Sequence, residues 1–393
     1  MKNKKYIISF PRLGNYVYPI YNMLDRLVDH NIVEIMMPKE MTKNTIEIGY
    51  NASPDFVCLP FKYNMGNFIE ALENGANFLI QAGGGCRYGY YAEVQEQILK
   101  DMGYEFTYVS LLEPEGINVK KLYEKVKLLN QHLSFGKFAK EVILAIRAVN
   151  LLDEVETYIR DNYMYEKTKG EFDKIHQNFI KDILNIHTVY DFIILKKKVY
   201  KELRAVTLLK EKDKKDILKV GIVGELYTSM EPFSTFFLEK ELASLGVKVK
   251  RYTTVTYLLF QKKRSIKKHI KYANKYIEYA LGADGTESVA HTLELIEQGY
   301  DGIIHIKPFG CTPEINSMPI LQKISKEKEI PIMYLTFDSQ TTKTGIETRL
   351  EAFYDMLLMK KNLKEECTDT NKDLATEFKD NLSYDKQKYR FQN

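Results

Sequence analysis

Short apolar runs of strand length recur along the chain, each closed by turn residues and followed by a stretch of helical spacing. In the first part they are Tyr6–Phe10, Ile32–Met37, Phe56–Cys58, Phe78–Ala82 and Phe106–Leu111. In the later part they are Val220–Gly224, Val247–Tyr252, Gly302–Ile306 and Ile332–Thr336. Between them the pattern predicts helices such as Tyr91–Met102, Thr235–Leu245 and Ser288–Gln298. Gly103, Gly246 and Gly299 stand where a helix C-terminus wants a left-handed residue before the next strand. Alternation of this kind predicts an α/β protein with largely parallel sheets. The expected domains are a first α/β domain over residues 1–115 and a second over 217–360.

Residues 116–216 read differently. The stretch is charged and helical, with Leu122, Val126, Leu129 and Leu133 at the spacing of an amphipathic helix. It is expected to be a helical insertion or lid with a charged linker at its end. Beyond Lys360 the chain turns polar, so 361–393 is expected to be a flexible tail.

Composition narrows the function classes. The chain has 393 residues, with 57 Lys+Arg against 53 Asp+Glu, a net charge of only +4. That balance argues against a dedicated nucleic-acid coat. The apolar run after Lys4-Lys5 ends at Pro11 and is too short for a signal-peptide core. No stretch approaches the ~18 apolar residues that span a bilayer. The expected setting is therefore the cytoplasm, with neither membrane nor nucleic acid as partner, where thiols stay reduced and open to metals.

There are four cysteines, and three share one kind of place. Cys58 closes one apolar run and precedes Leu59-Pro60. Cys86 follows the run Phe78–Ala82 and three glycines, and Cys311 follows Gly302–Ile306 and Lys307-Pro308-Phe309-Gly310. Each falls at or just past the carboxyl end of an expected strand, the edge where open parallel sheets bind ligands. Cys86 and Cys311 also head helical patterns, which favours thiolate. Gly84, Gly85 and Gly310 beside them permit close backbone approach to a bulky group. A single cysteine more often just packs, and Cys367 in the polar tail reads as incidental. Structural zinc usually takes four ligands in local pairs, which are absent. Iron–sulfur clusters also take thiolates, and three ligands would leave one iron of a four-iron cluster open. Cys58 and Cys86 come from the first domain and Cys311 from the second, so a shared ligand would lie in the cleft between them.

At these residues the sequence resembles the 2-hydroxyacyl-CoA dehydratase / benzoyl-CoA reductase superfamily. Within it, the compact acyl-CoA dehydratase activase-related branch is the more similar. The resemblance rests on Phe10-Pro11-Arg12, Cys58-Leu59-Pro60-Phe61-Lys62, Gly84-Gly85-Cys86-Arg87-Tyr88-Gly89-Tyr90-Tyr91 and Gly221-Ile222-Val223-Gly224-Glu225. It continues through Glu231-Pro232-Phe233, Gly282-Ala283-Asp284-Gly285-Thr286-Glu287-Ser288, Pro308-Phe309-Gly310-Cys311-Thr312-Pro313-Glu314 and the segment Thr344–Phe353. It implies paired Rossmann-like domains with a [4Fe-4S] cluster, or half of a double-cubane [8Fe-9S] cluster, on Cys58, Cys86 and Cys311. It further implies an ATP-dependent activator iron–sulfur protein as electron donor, and a homodimer or a second dehydratase-like subunit. The activity it implies is reductive or radical dehydration of the lyase or ATP-coupled reductase kind. The alternative is a non-catalytic electron carrier or assembly module of a CoA-enzyme activase system.

No G-x-x-x-x-G-K-[ST] loop occurs, so no ATP site is expected in this chain. Lys62 and Arg87 flank expected ligands and are candidates to offset cluster charge or bind an anion. Glu231 and Glu314 are the candidate catalytic acids, although Glu314 at a helix start would also complement the helix dipole. The basic run from Lys262 to Lys275 reads as a solvated helix, or as a docking face for an acidic activator or for CoA phosphates. His305, within a strand, reads as packed.

Overall fold

Each half of the chain builds the same four-stranded parallel sheet. The computed structural model describes residues 5–81, 87–111, 118–209 and 217–363. The first half comprises Tyr6–Ser9 (β1), Val17–Leu27 (α1), Val33–Ile35 (β2), Lys43–Asn51 (α2), Leu59–Glu73 (α3), Phe78–Gln81 (β3), Tyr91–Asp101 (α4) and Thr107–Ser110 (β4). The middle is Val119–Lys127 (α5), Phe135–Asn162 (α6), Glu171–Ile183 (α7) and Val189–Ala205 (α8). The second half opens with Lys219–Gly224 (β5), Leu226–Met230 (α9), Leu238–Ser244 (α10), Lys248–Arg251 (β6) and Lys262–Tyr272 (α11). It closes with Gly285–Glu297 (α12), Gly302–Pro308 (β7), Thr312–Lys328 (α13) and Ile332–Phe337 (β8). Residues up to Lys343 form one compact unit. The second unit starts at Thr344 and is helical as far as 363. The helical run thus includes 361–363, placed in the tail by sequence, while 364–393, with Cys367, lie outside the described residues.

The sheet orders are β2-β1-β3-β4 and β6-β5-β7-β8, every pairing parallel. The expected α/β class with paired Rossmann-like sheets is therefore correct. In this order the chain reverses direction of progress between β1 and β3, and between β5 and β7. Those switch points open a crevice at the carboxyl ends of the strands. Strands β3 and β7 are buried along their whole length, as parallel strands covered on both faces must be. The turn after β5 depends on Gly224, with φ of +141°, because a Cβ there would lie 1.8 Å from the Ile306 carbonyl oxygen.

One expected strand is absent. Phe56–Cys58 is a turn leading into α3, and Phe56 is exposed. Ser53-Pro54-Asp55 supplies turn chemistry, and Pro60 at the second helical position starts a helix instead. Cys58 is thus a helix N-cap, not a strand end.

The middle helices share one apolar core. Leu152, Val155, Phe172, Phe179, Val199 and Leu203 pack together, and the cluster takes in Tyr16 from the first half and Met230 from the second. Helix α8 starts at a reciprocal cap between Thr188 and Asp191, which satisfies amide groups the first turn leaves open. Arg160 of α6 and Arg251 of β6 both bind Glu239 of α10, at 2.7 and 2.6 Å. Burial opposes ionisation of Glu239, but the two guanidinium groups outweigh it and hold its carboxyl down at about 2. The halves also meet directly. Glu231 accepts from the Gly14 amide at 2.5 Å, and the Tyr227 hydroxyl donates to the Arg12 carbonyl at 3.1 Å. Tyr63 and Tyr227 stack with centroids 5.9 Å apart.

Candidate functional site

Two helices, one from each half, begin with the same chemistry. Cys58 holds the N-cap position of α3 and Cys311 that of α13, each followed two residues later by a proline, Pro60 or Pro313. Proline at a helix start removes a donor that would otherwise go unpaired. The loops carrying the thiols lie side by side: a Cβ on Gly310 would stand 4.0 Å from the Phe56 carbonyl oxygen. Gly310 itself has φ of +76°, a left-handed turn that feeds Cys311 into α13. Cys58 Sγ lies 2.7 Å from the Tyr91 hydroxyl. The structure thus brings Cys58, Cys311 and Gly310 together. Cys86, Gly84 and Gly85 lie outside the described residues, in the segment after β3, and Arg87 opens the short 3-10 turn Arg87–Tyr90.

The surroundings of Cys311 are acidic and dry. Glu225 follows β5 directly and caps α9, accepting from the amides of Tyr227 at 3.0 Å and Thr228 at 2.8 Å. Burial, with the neighbouring Asp284 carboxylate, pushes Glu225 up to about 7. Asp284 precedes α12, is also raised by burial, and is held by Lys262 and by the Leu226 amide at 3.1 Å. Glu287, one turn into α12, is 5% exposed, and neither carboxylate oxygen has a hydrogen-bond partner among the described residues. Its nearest cation is Lys262 at 3.8 Å. Burial pushes Glu287 up to about 7, Lys262 working against the rise and Asp284 adding to it. Cys311 is half-buried beside these carboxylates: burial first, then Glu225 and Glu314, drive its thiol well above its ordinary value. A bare anionic sulfur is disfavoured here, whereas a coordinating metal deprotonates a thiol outright. The donor set therefore fits a cationic metal centre.

Lysines stand on either side of the thiols. Lys307, near the end of β7, is buried and lowered by burial, with Cys311 and Glu314 opposing. Lys62, one turn into α3, is likewise lowered by burial, with Asp55 and Cys58 opposing, and its ammonium sits 4.0 Å from the centre of the Tyr50 ring. Of the candidate acids, Glu314 is sealed completely. It lies 2.6 Å from His305 Nε2 and accepts from Ser288 at 2.9 Å and Ser317 at 3.2 Å. Glu231 is the brace to Gly14 between the halves rather than a neighbour of Cys311. Sequence reasoning did not single out Glu225, Asp284, Glu287, Lys262 or Lys307 as site residues. Three of them do stand in the Gly224-Glu225 and Gly282–Ser288 motifs, which were the available signal.

Residues 118–357 match the family of the 2-hydroxyglutaryl-CoA dehydratase, D-component. The chain belongs to this family. The resemblance read from the motifs is therefore correct. Among curated proteins none matches the chain. For this dehydratase-family protein the matched span holds Glu225, Asp284, Glu287, Lys307, Cys311 and Glu314. Cys58, Lys62 and the segment carrying Cys86 precede it. No helix among the described residues is long and apolar enough to cross a membrane.

Proposed function

We propose that this protein is an iron–sulfur redox component of a 2-hydroxyacyl-CoA dehydratase-type system. In this reading Cys58, Cys86 and Cys311 hold a [4Fe-4S] cluster or half of a double-cubane cluster. Such a cluster supplies low-potential one-electron chemistry, fed by a separate ATP-dependent activator. The observation that carries the reading is the adjacency of two cysteine-capped helix starts, one from each half, in a member of this family.

The chain's own residues have definable tasks. Lys62 and Lys307 offset negative charge beside the sulfurs or hold an anionic substrate group. Glu287, buried and without a hydrogen-bond partner among the described residues, is poised near neutrality and suits the uptake or release of one proton. Glu225 has the same poise but is tied to the α9 amides. Tyr91 and Gly310 shape the walls. Dehydration of a 2-hydroxyacyl thioester needs a hydroxyl to leave with a proton, and an acid near 7 can donate it at neutral pH.

The experiment is anaerobic purification with iron, sulfide and EPR analysis, followed by reduction with an activator protein and ATP. Turnover of a 2-hydroxyacyl-CoA supports the dehydratase reading. Reduction without turnover of any candidate substrate makes the protein an electron carrier. Iron-free protein after anaerobic expression overturns both.

A further inference from the structure

A second cluster of metal-ligating side chains stands apart from the cysteines. His269 comes from α11, and His291 and Glu294 come from α12. One ligand atom of each lies within 4.8 Å of the other two. Both histidines are more than nine-tenths buried, at 8% and 7% exposure. His269 Nδ1 and His291 Nε2 are sealed from solvent and have no hydrogen-bond partner among the described residues. His291 Nδ1 stands 2.8 Å from Glu294 Oε2. Tyr252 stacks on His291 with centroids 4.3 Å apart, and the two imidazoles meet edge to face at 4.9 Å.

Two buried imidazoles with orphaned ring nitrogens are costly, because each unpaired polar atom loses its water without replacement. Sequence neighbours do not explain the pairing, since the histidines belong to different helices. The cluster also borders a groove of 760 Å³ lined by polar groups of α6 and of the segment 252–265, including Asp153, Thr256 and Ser265. The backbone entering α11 forms a π-helical turn over Tyr257–Gln261, a feature that often accompanies functional sites.

We propose that His269, His291 and Glu294 bind one divalent first-row transition-metal ion of the zinc class. Two imidazoles and a carboxylate are a usual ligand set for such an ion, with at least one position left for water. Ligands around tetrahedral zinc stand ~3.4 Å apart, so binding draws the three side chains inward by about 1 Å. The ion pins α11 to α12. Lys262 begins α11, and Asp284 and Glu287 stand at the start of α12, so the pin holds the frame of the acidic site near Cys311. This metal is separate from the iron centre and does not depend on it.

The test is Co²⁺ titration of the full-length, chelator-treated protein, read by visible d–d absorption and by melting temperature. The Cys58→Ser/Cys311→Ser variant, in which the thiol site is disabled, should take up one Co²⁺ with d–d bands. In the cysteine variant no sulfur-to-cobalt charge-transfer band should appear. Zn²⁺ should displace the cobalt and raise the melting temperature. His269→Gln and His291→Gln should lose that band and that rise while keeping a wild-type circular dichroism spectrum. If a histidine variant misfolds, Glu294→Gln, at a partly exposed position, should still weaken Co²⁺ binding at least tenfold. Cobalt uptake by the cysteine variant that is unchanged in all three substitutions, or no uptake at all, overturns the proposal.

Discussion

His305 Nε2 lies 2.6 Å from a Glu314 carboxylate oxygen, and both side chains are closed off from solvent. One residue is on β7 and the other in the first turn of α13, so the contact fixes the strand-to-helix turn that carries Cys311. Removing one member of a buried polar pair leaves the other without a partner. Glu314→Ala should cost about 3–5 kcal/mol in urea unfolding. Glu314→Gln should cost less, since an amide can still bond Ser288 and Ser317. Equal losses in the two variants would deny the pair this role.

Glu287 gives the protein a pH dependence. Its carboxyl is raised by burial to about 7 in the folded state, above the ordinary 4.5. The folded state therefore holds the proton more tightly than the unfolded chain does. The associated stability is complete below pH 4.5 and is lost as pH rises through 7, amounting to about 3 kcal/mol at most. Glu287→Gln should flatten the fall in urea midpoint between pH 5 and 8. An unaltered slope would contradict the burial argument.

Glu239 acts in the opposite sense. Arg160 and Arg251 hold its carboxyl at about 2, against burial. Its stabilisation is present above the ordinary 4.5 and fades as pH falls toward 2. Glu239→Gln should abolish that part of the acid sensitivity. At pH 7 it should destabilise by about 3 kcal/mol or more, because two buried guanidinium groups lose their anion. Thermal melts at pH 7 and pH 3 check both signs.

Gly224 is the backbone requirement of the site. A Cβ there would stand 1.8 Å from the Ile306 carbonyl oxygen, at a φ of +141° that side chains rarely adopt. Gly224→Ala should destabilise by more than about 2 kcal/mol. Gly246→Ala meets no atom within 4 Å and carries only the strain of its own positive φ, so it should cost less. Reversal of that order in denaturant titrations would contradict the packing argument.

The sheets are legible because β5 and β7 carry dense β-branched apolar residues, Val220, Ile222 and Val223 or Ile303, Ile304 and Ile306, bounded by glycine and proline. Phe56–Cys58 resembles a strand in sequence because three residues are too few to show a period, and Pro54 and Pro60 decide the local structure instead. The acidic pocket was harder to see. Asp284 and Glu287 look like ordinary helix-start acids, and only the tertiary approach of Lys262 shows them to be buried. Lys262 itself opens the basic run that reads as a solvated helix, yet it points inward to Asp284. The histidine cluster has no local motif, because its members are brought together by the packing of α11 on α12. Cys58 and Cys311 hold different places in the two halves, Cys58 before the helix that leads into β3 and Cys311 after β7, so their approach is a tertiary fact that no local pattern shows.

In the proposed function, three cysteines from the two halves hold one iron–sulfur centre. Iron and acid-labile sulfide, measured on anaerobically purified wild type and on Cys58→Ala, Cys86→Ala, Cys311→Ala and Cys367→Ala, test it most directly. Iron and sulfide with a cluster EPR signal on reduction are expected in the wild type and in Cys367→Ala, and their loss in the other three. Iron-free wild type, or full iron retained in Cys58→Ala and Cys311→Ala, would contradict it.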